Sequence, residues 1–277
     1  MALRADGKRV RKADPMYTVV PHIMDKRNDA MNMITVDIPV QPIQDYINQK
    51  RKEGVRLSHM SVVMAAYLRT VYEYPLLNNF IVNKKIYKHK EFKVAMVVLK
   101  NLVTQEETMS KVQFELDDTI FDVNQKMSEY VEENRKTSTQ NNTDKMIKFL
   151  LSIPGLLLVG VKLFKILDRY GLLPKFITDL SPFHASITLT NLASIRTNHI
   201  YHHIYNFGTT SVFIAMGKNR EVAKKKNGEI VFEKCMPLGV VMDERIYSGV
   251  YFAAAFRKFS TYLENPSLLE EKPKKQD

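Results

Sequence analysis

Strand-like and helix-like hydrophobic patterns follow one another along the whole sequence, which restricts the chain to folds that pack helices on a sheet. Alternating apolar residues predict a half-buried strand at Ile34–Val40. Pro42 is suited to the first turn of a helix, and Gly54 to its end. Ser58 is a good N-cap for a second helix. A strand followed by two helices therefore opens the domain.

The same patterns continue to the C-terminus. Asn227-Gly228 is a strong hairpin signal, and the polar stretch 134–145 is predicted to be a loop. Further strands are predicted at Phe80–Tyr87, Phe92–Leu99, Ser186–Leu192, Ser211–Met216, Glu229–Lys234 and Met236–Met242, and further helices at Ile120–Tyr130 and Ser248–Leu263. The mixture predicts one α/β (α+β) domain over residues 17–277, preceded by a basic N-terminal arm over residues 1–16.

Charge and cysteine content restrict the partners and the compartment. The chain has 41 Lys and Arg against 30 Asp and Glu, a net charge of +11 that favours anionic partners. Such partners include phosphate-bearing cofactors and an anionic membrane surface, whereas nucleic acid is not expected because the sequence has no aromatic stacking motif. One cysteine, Cys235, and an N-terminus without a secretory pattern predict a cytoplasmic protein.

An uncharged stretch, Phe149–Val161, lies between Lys148 and Lys162. As a helix it would reach roughly 20 Å, too short for a hydrocarbon core of about 30 Å. We therefore expect a core helix, a wall for an acyl chain, or an interfacial helix. With the basic arm, the last alternative predicts peripheral contact with an anionic membrane.

Most familiar catalytic signatures are missing from the sequence. It has no GxGxxG, GxSxG or HExxH motif, so no metal site is predicted. A dense cluster containing His199, His202 and His203 precedes Gly208 and a predicted strand. Histidine is suited to general-base catalysis near neutral pH, although these rings could equally pack a strand edge or a subunit contact.

The order of several segments resembles a known family from residue 17 to about residue 270. The segments are Val20-Pro21-His22, Pro75-Leu76-Leu77-Asn78, Ile187–Leu192, Phe213–Gly217 and Met242–Gly249. In this order they resemble the catalytic domain of the dihydrolipoyl acyltransferase of 2-oxo acid dehydrogenase complexes. No lipoyl module or Ala/Pro-rich linker occurs in the first 16 residues, so we expect a stand-alone relative.

The resemblance implies a two-layer sandwich with a mixed β-sheet, the chloramphenicol acetyltransferase-like fold. It also implies a homotrimer with active sites at subunit boundaries and coenzyme A, as acyl-CoA, for the acyl donor. In the family, a histidine of a DHRxxDG-like segment is the general base, and a Ser or Thr hydroxyl stabilises the oxyanion.

Carried over to this sequence, the resemblance assigns the oxyanion hydroxyl to Thr190. The family's histidine is replaced by Glu244, and its Asp or Asn is replaced by Ser248; Asp243, Arg245 and Gly249 are retained. Glu244 is thus a candidate base, weaker than histidine by about 2 pKa units in reference values. Alternatively, it pairs with Arg245 or another cation and only holds the turn. His203 is the alternative base. The candidate substrate-binding residues are His202, Asn191, Ser248 and Gly208.

We therefore predict a stand-alone acyltransferase that moves an acyl group from a coenzyme A thioester to a thiol or hydroxyl acceptor. The alternative is a catalytically inactive trimer that binds a ligand or scaffolds a partner at the membrane surface. An insertion at Ile147–Leu173, absent from the family pattern, would favour a long-chain acyl substrate if it lines the acceptor side.

Overall fold

A computed structural model describes residues 4–101, 106–135, 145, 148, 149 and 151–274. Its strands are β1 (Gly7–Arg9), β2 (Met31–Pro39), β3 (Asn79–Val82), β4 (Lys85–His89), β5 (Phe92–Asn101), β6 (Glu106–Phe114), β7 (Ile187–Asn191), β8 (Val212–Met216), β9 (Arg220–Lys226) and β10 (Glu229–Asp243). Its helices are α1 (Pro15–Ile23), α2 (Val40–Lys52), α3 (His59–Glu73), α4 (Ile120–Arg135), α5 (Leu156–Tyr170), α6 (Lys175–Leu180) and α7 (Gly249–Glu264).

The main sheet is mixed and has helices packed on one face. Its strand order is β2-β10-β8-β7-β5-β6, with β9 paired to the first half of β10. Strands β5, β7 and β8 run parallel, whereas the other neighbours are antiparallel. Alternate residues such as Leu238, Val240 and Met242 join α2, α3, α4 and α7 in the main core. This arrangement confirms the predicted α/β fold class with a mixed sheet.

A smaller apolar cluster covers part of the opposite face, which we call the outer face. It contains Ile204, Phe213, Ala215 and Val241. Because side chains alternate along a strand, the outer-face residues of β10 and β8 lie between those that enter the main core. The segment after β7 crosses this outer face and carries the histidine cluster.

Two predicted strand boundaries are wrong. The segment predicted as one strand, Phe80–Tyr87, is the β3–β4 hairpin, because Asn83 and Lys84 take φ values of 49° and 60°. Two consecutive left-handed residues form the tight turn that suits strand twist, and no glycine marks it in the sequence. Conversely, the two strands predicted at Glu229–Lys234 and Met236–Met242 form the single strand β10. Cys235, between them, is part of the strand and pairs with Arg220 of β9.

The Asn227-Gly228 turn is confirmed, with both residues at positive φ and Glu229 paired with Lys226. Of the predicted loop 134–145, residues 134 and 135 instead end α4, and 136–144 lie outside the described residues.

The uncharged stretch is not a core helix. Pro154-Gly155 interrupts it, and α5 begins only at Leu156. Leu158 and Val159 are 62% and 64% exposed, so the core-helix alternative is wrong. Among the residues that the structure describes, no helix is long and apolar enough to cross a membrane.

The N-terminal residues are packed on the domain. Strand β1 pairs with β4. Helix α1 runs from Pro15 to Ile23 and so spans the predicted junction between the arm (residues 1–16) and the domain. The buried Arg4 donates to the Asp168 carboxylate over 2.6 Å and also pairs with Asp6. Nε2 of His184 lies 3.3 Å from the same Asp168 carboxylate. These contacts fasten the C-terminal end of α5 to the domain.

We expect Asp168→Asn to flatten the acid limb of the stability curve. Burial alone would raise the pKa of Asp168, but the hydrogen bond and charge of His184, together with Arg4, lower it to about 2. A depressed carboxyl pKa contributes stability above the unfolded value, and this contribution is lost as the pH falls toward 2. The wild-type advantage over the variant should therefore shrink by about 2 kcal/mol between pH 6 and pH 2, measured by urea unfolding.

Asp45→Asn provides the matched control, since Asp45 is exposed on α2 and accepts only a hydrogen bond from Gln41 among the described residues. An equal acid response of wild type and Asp168→Asn would contradict the anchoring role.

Candidate active site

A buried ionic cluster fixes the chain where β10 ends. Asp243 is fully buried, and its two carboxylate oxygens accept 2.8 Å hydrogen bonds from Nε and Nη2 of Arg245. Nε of Arg27 lies 3.4 Å from Asp243 Oδ2. A bidentate pair inside the protein fixes geometry strongly, because its members have little water to replace the partner. The segment 243–245 is thus held in one conformation.

Arg27 connects this cluster to the segment that follows the histidines. Its terminal nitrogens donate to the carbonyl oxygens of Tyr205, Ile81 and Gly208 over 2.8, 2.9 and 3.0 Å. Gly208 has a φ of 87°, and a Cβ there would lie 2.1 Å from the Phe183 carbonyl oxygen. Gly208 is therefore required by backbone geometry, in addition to facing the cleft described below.

Glu244 follows Asp243 directly and is half-buried. Its backbone N–H donates to the Ala30 carbonyl over 2.9 Å, and its Oε2 accepts from the Asn32 amide over 2.7 Å. The alternative in which Glu244 pairs with Arg245 is wrong, because that guanidinium binds Asp243. Within the described part of the chain, Glu244 makes no ion pair. Asn32 thus orients the carboxylate, and no cation among the described residues pairs with it. Both conditions suit a group that accepts a proton.

Ser248 serves as a helix cap. Its Oγ accepts from the Tyr251 N–H over 3.2 Å at the N-terminus of α7. The geometry thus gives Ser248 a structural role and no direct support for the predicted substrate contact.

Thr190 and Asn191 end β7 with free hydrogen-bonding capacity. Thr190 is half-buried and paired in register with Ala215, and its hydroxyl has no hydrogen bond to the residues described here. Asn191 Oδ1 is buried without a partner in the described structure. Thr188 pairs with Phe213, and Thr190 shares its face by alternation, so Thr190 lies on the outer face.

The three histidines of the cluster have different surroundings. His199 Nε2 lies 3.0 Å from the Thr35 hydroxyl, and burial lowers the pKa of His199. The His202 ring stacks on Phe213 with centroids 4.3 Å apart, and its Nδ1 contacts the His203 carbonyl over 2.8 Å. His203 itself is exposed. His202 therefore lies on the outer face with Thr190, and His203 is the most accessible base.

The structure does not bring all the predicted catalytic residues together. The Glu244 carboxylate is bound to Asn32, which pairs in register with the core residue Met242 and so belongs to the helical face. Thr190 lies on the opposite face. The resemblance implied that Thr190, His203 and Glu244 lie close together, and within one chain Thr190 and Glu244 are separated by the sheet.

Beside the ionic cluster is a cleft of about 670 Å³ with a strongly basic lining. Arg27, Arg245, Tyr205 and Gly208 lie in its wall. The exposed cations are Lys26, Lys84, Lys165 and Arg169, whereas the acidic lining residues Asp25 and Asp168 are both ion-paired. The cleft is therefore suited to an anionic ligand. Sequence reasoning missed it because its cations are dispersed along the chain.

The insertion contributes only polar residues to this cleft. They are Lys165, Asp168 and Arg169 of α5, whereas Leu163 and Ile166 of the same helix are exposed. The expectation that the apolar side of the insertion lines the acceptor side finds no support in this cleft.

Comparisons with known proteins agree with this architecture. Residues 182–270 match the sequence model of the 2-oxoacid dehydrogenases acyltransferase (catalytic domain). A probable dihydrolipoamide acetyltransferase from Listeria monocytogenes is similar with a TM-score of 0.59 and 13% identity, over 93% of this chain and 94% of that chain. The Azotobacter vinelandii dihydrolipoamide acetyltransferase is similar with a TM-score of 0.61 and 11% identity, over 94% of each chain.

A chloramphenicol acetyltransferase gives a TM-score of 0.54 and 12% identity, over 93% of this chain and 99% of that chain. A comparison with curated proteins gives no match. The chain therefore has the chloramphenicol acetyltransferase-like fold of dihydrolipoamide acetyltransferase cores, and its residues 182–270 are related in sequence to the 2-oxoacid dehydrogenase acyltransferase catalytic domain, as the resemblance predicted.

Proposed function

We propose that the protein transfers an acyl group from a coenzyme A thioester to a thiol or hydroxyl acceptor, with Glu244 as the general base. The observation that carries this proposal is the state of the Glu244 carboxylate. Asn32 orients it, no cation in the described structure neutralises it, and the buried Asp243–Arg245 pair fixes the backbone beside it. By resemblance, Glu244 corresponds to the catalytic histidine of the family.

The proposed chemistry needs one proton acceptor and one oxyanion donor. Glu244 takes the proton of the acceptor group, which attacks the thioester carbonyl carbon. The Thr190 hydroxyl donates to the resulting oxyanion. Collapse of the intermediate breaks the C–S bond, and the protonated carboxyl returns its proton to the departing coenzyme A sulfur.

A second copy of the chain would complete this site. The Thr190 side chain and the Asn32-bound Glu244 carboxylate lie on opposite faces of the sheet, and Thr190 is aligned through Ala215 with Gly239, five residues before Glu244. We therefore infer that a site using both residues takes them from different subunits. This favours the homotrimer that the resemblance implies. The Azotobacter vinelandii structure concerns the roles of a serine, a histidine and an asparagine in catalysis. By resemblance, Thr190, Glu244 and Ser248 occupy the corresponding positions here.

The basic cleft supports coenzyme A as the donor. Coenzyme A carries several phosphate charges, and the cleft presents Lys26, Lys84, Lys165 and Arg169 beside the segment that holds Glu244. Lys26 and Lys165 make no ion pair within the described residues, so their charges are available to a ligand. Ammonium and guanidinium groups bind phosphate by charge-assisted hydrogen bonds.

A thermal-shift titration with coenzyme A, acetyl-coenzyme A and a long-chain acyl-coenzyme A tests the proposal. A ligand present at about 100 times its Kd should stabilise the folded protein by roughly 2.7 kcal/mol. We expect this shift for wild type and a smaller one for Lys26→Ala/Lys165→Ala. Lys218→Ala/Lys225→Ala, which removes two exposed lysines outside the cleft, is the matched control. No shift with any ligand would contradict the proposal.

The second candidate is an inactive homotrimer that binds a ligand or scaffolds a partner. It is favoured by the loss of both the family's histidine and its Asp or Asn, together with the capping role of Ser248. Coenzyme A binding without release of free thiol in the presence of acceptors would support it. A cytoplasmic location stays a prediction.

A further inference from the structure

One side of α5 is apolar and faces away from the domain. Val159, Leu163, Ile166 and Tyr170 are 64%, 49%, 55% and 54% exposed. Their spacing of four, three and four residues places them in one stripe along the helix. The neighbouring stripe, formed by Leu156, Gly160, Phe164 and Leu167, is half-buried or buried. The helix therefore rests on the domain along one line and leaves a second apolar line uncovered.

The exposed apolar surface continues on both sides of the helix. Leu172 and Phe176 follow it with 63% and 62% exposure. Phe149, Leu151 and Ile153 precede it with 63%, 61% and 52%. Nine large apolar side chains exposed within one segment of the chain indicate an interaction site rather than ordinary scattered exposure. We call this set of exposed residues the α5 surface: Phe149, Leu151, Ile153, Val159, Leu163, Ile166, Tyr170, Leu172 and Phe176.

The exposed charges on α5, and at Lys148 before it, have one sign. Asp179, three residues after Phe176 on α6, is exposed but is paired with Lys93 and Lys175. Lys162, Lys165 and Arg169 are exposed on α5, and Lys148 is exposed before it. The acidic residue of α5, Asp168, is buried against Arg4 and His184. A second copy of the same surface would bring like charges together, which costs free energy, whereas an anionic surface would neutralise them.

The dimensions and attachment of α5 fit a helix that lies in a membrane plane. Its 15 residues make it about 22 Å long at about 1.5 Å per residue, too short to span a bilayer. Its C-terminal end is fastened by Asp168, and Arg169 donates to Asn83 over 3.3 Å. The domain thus holds the helix in place with the apolar stripe presented outward.

We propose that the α5 surface docks the protein on an anionic lipid bilayer, with its apolar stripe in the interfacial region and the neighbouring Lys148 and Lys162, which lie outside the basic cleft, against lipid phosphates. Apolar area and attraction to anionic lipid both contribute to such binding. This inference is independent of the acyl-transfer proposal, since it assigns a partner surface and no chemistry.

Vesicle co-sedimentation of the full chain tests the inference. Wild type should bind phosphatidylcholine vesicles that contain phosphatidylglycerol more tightly than phosphatidylcholine alone. Leu163→Gln/Ile166→Gln should weaken binding at least about tenfold. Burial of two apolar side chains in the bilayer contributes more free energy than a tenfold change in affinity requires. Ile230→Gln/Phe232→Gln is the matched control, since both residues are exposed on β10 away from α5, and it should bind like wild type.

A second pair of variants tests the electrostatic half. Lys148→Ala and Lys162→Ala should each weaken binding to the anionic vesicles about fivefold and leave binding to phosphatidylcholine unchanged. Neither lysine lines the basic cleft or forms an ion pair with the described residues. Lys218→Ala and Lys225→Ala serve as controls with no expected effect.

Three outcomes would overturn the inference. The first is equal vesicle binding by wild type and Leu163→Gln/Ile166→Gln. The second is wild-type binding that does not depend on the phosphatidylglycerol content of the vesicles. The third is a change in the oligomeric state of Leu163→Gln/Ile166→Gln, measured by sedimentation velocity. The last would show that the α5 surface joins copies of the chain. Because these side chains are exposed, we expect unchanged thermal unfolding, which separates lost binding from lost folding.

Discussion

Asp243→Asn should lower the free energy of unfolding by about 3–5 kcal/mol, because it leaves two buried guanidinium groups without their carboxylate. Asp243 has no exposed surface, and Arg27 and Arg245 are only 4% and 3% exposed. Although both residues lie in the wall of the basic cleft, so little of either is exposed that water replaces the lost partner poorly. Urea unfolding of wild type and variant, analysed for midpoint and slope, gives the loss directly.

Asp37→Asn is the control for this experiment. Its carboxylate accepts two hydrogen bonds of 3.0 Å from Arg220, and both side chains are partly exposed, at 25% for Asp37 and 44% for Arg220. Loss of a solvent-accessible pair costs up to about 1 kcal/mol. A similar small loss for both variants would contradict the structural importance of the Asp243 cluster. Should Asp243→Asn fail to fold, Arg245→Met/Asp243→Asn should recover part of the loss, because one of the unpaired charges is then absent.

Hydrophobic alternation and segment order were sufficient to predict the fold. The core positions of β2, β7 and β10 repeat every two residues, and the two helices after β2 begin near proline or serine signals, so local physics agreed with the tertiary structure. The β3–β4 hairpin was missed because Asn83 and Lys84 adopt positive φ without a glycine. The sequence left the exposure of α5 open between a core helix, a wall for an acyl chain and an interfacial helix, because a helix of apolar residues usually enters a core.

The candidate site was only partly predictable. Asp243, Glu244 and Arg245 adjoin in sequence, so the resemblance located them together. Arg27 joins the same cluster from the other end of the chain, with no motif to connect it to Asp243. The cleft cations lie on separate elements, and only folding brings Lys26 near Lys165. A single sequence carries no local signal for such pairs.

Glu244→Gln should lower kcat for acyl transfer by about 10²–10⁴-fold, the usual contribution of a positioned general base. The amide keeps the size of the side chain and can still pair with Asn32, but it cannot accept the proton of the acceptor group. The KM for the acyl-coenzyme A should stay nearly constant, since the proposed phosphate contacts lie in the basic cleft. Steady-state release of free coenzyme A thiol measures both quantities.

Two further variants separate a base from a merely structural carboxylate. Glu244→His restores the family's residue and should remain active, with the acid limb of its kcat profile moved to higher pH, because an imidazole is a stronger base than a carboxylate. A carboxylate that only held the turn would give no such movement. Unchanged turnover in Glu244→Gln combined with loss of turnover in His203→Gln would instead assign the base to the exposed histidine on the outer face. In that case the base and the Thr190 hydroxyl would belong to one face of one chain, so the geometric argument that a second subunit must complete the site would no longer apply.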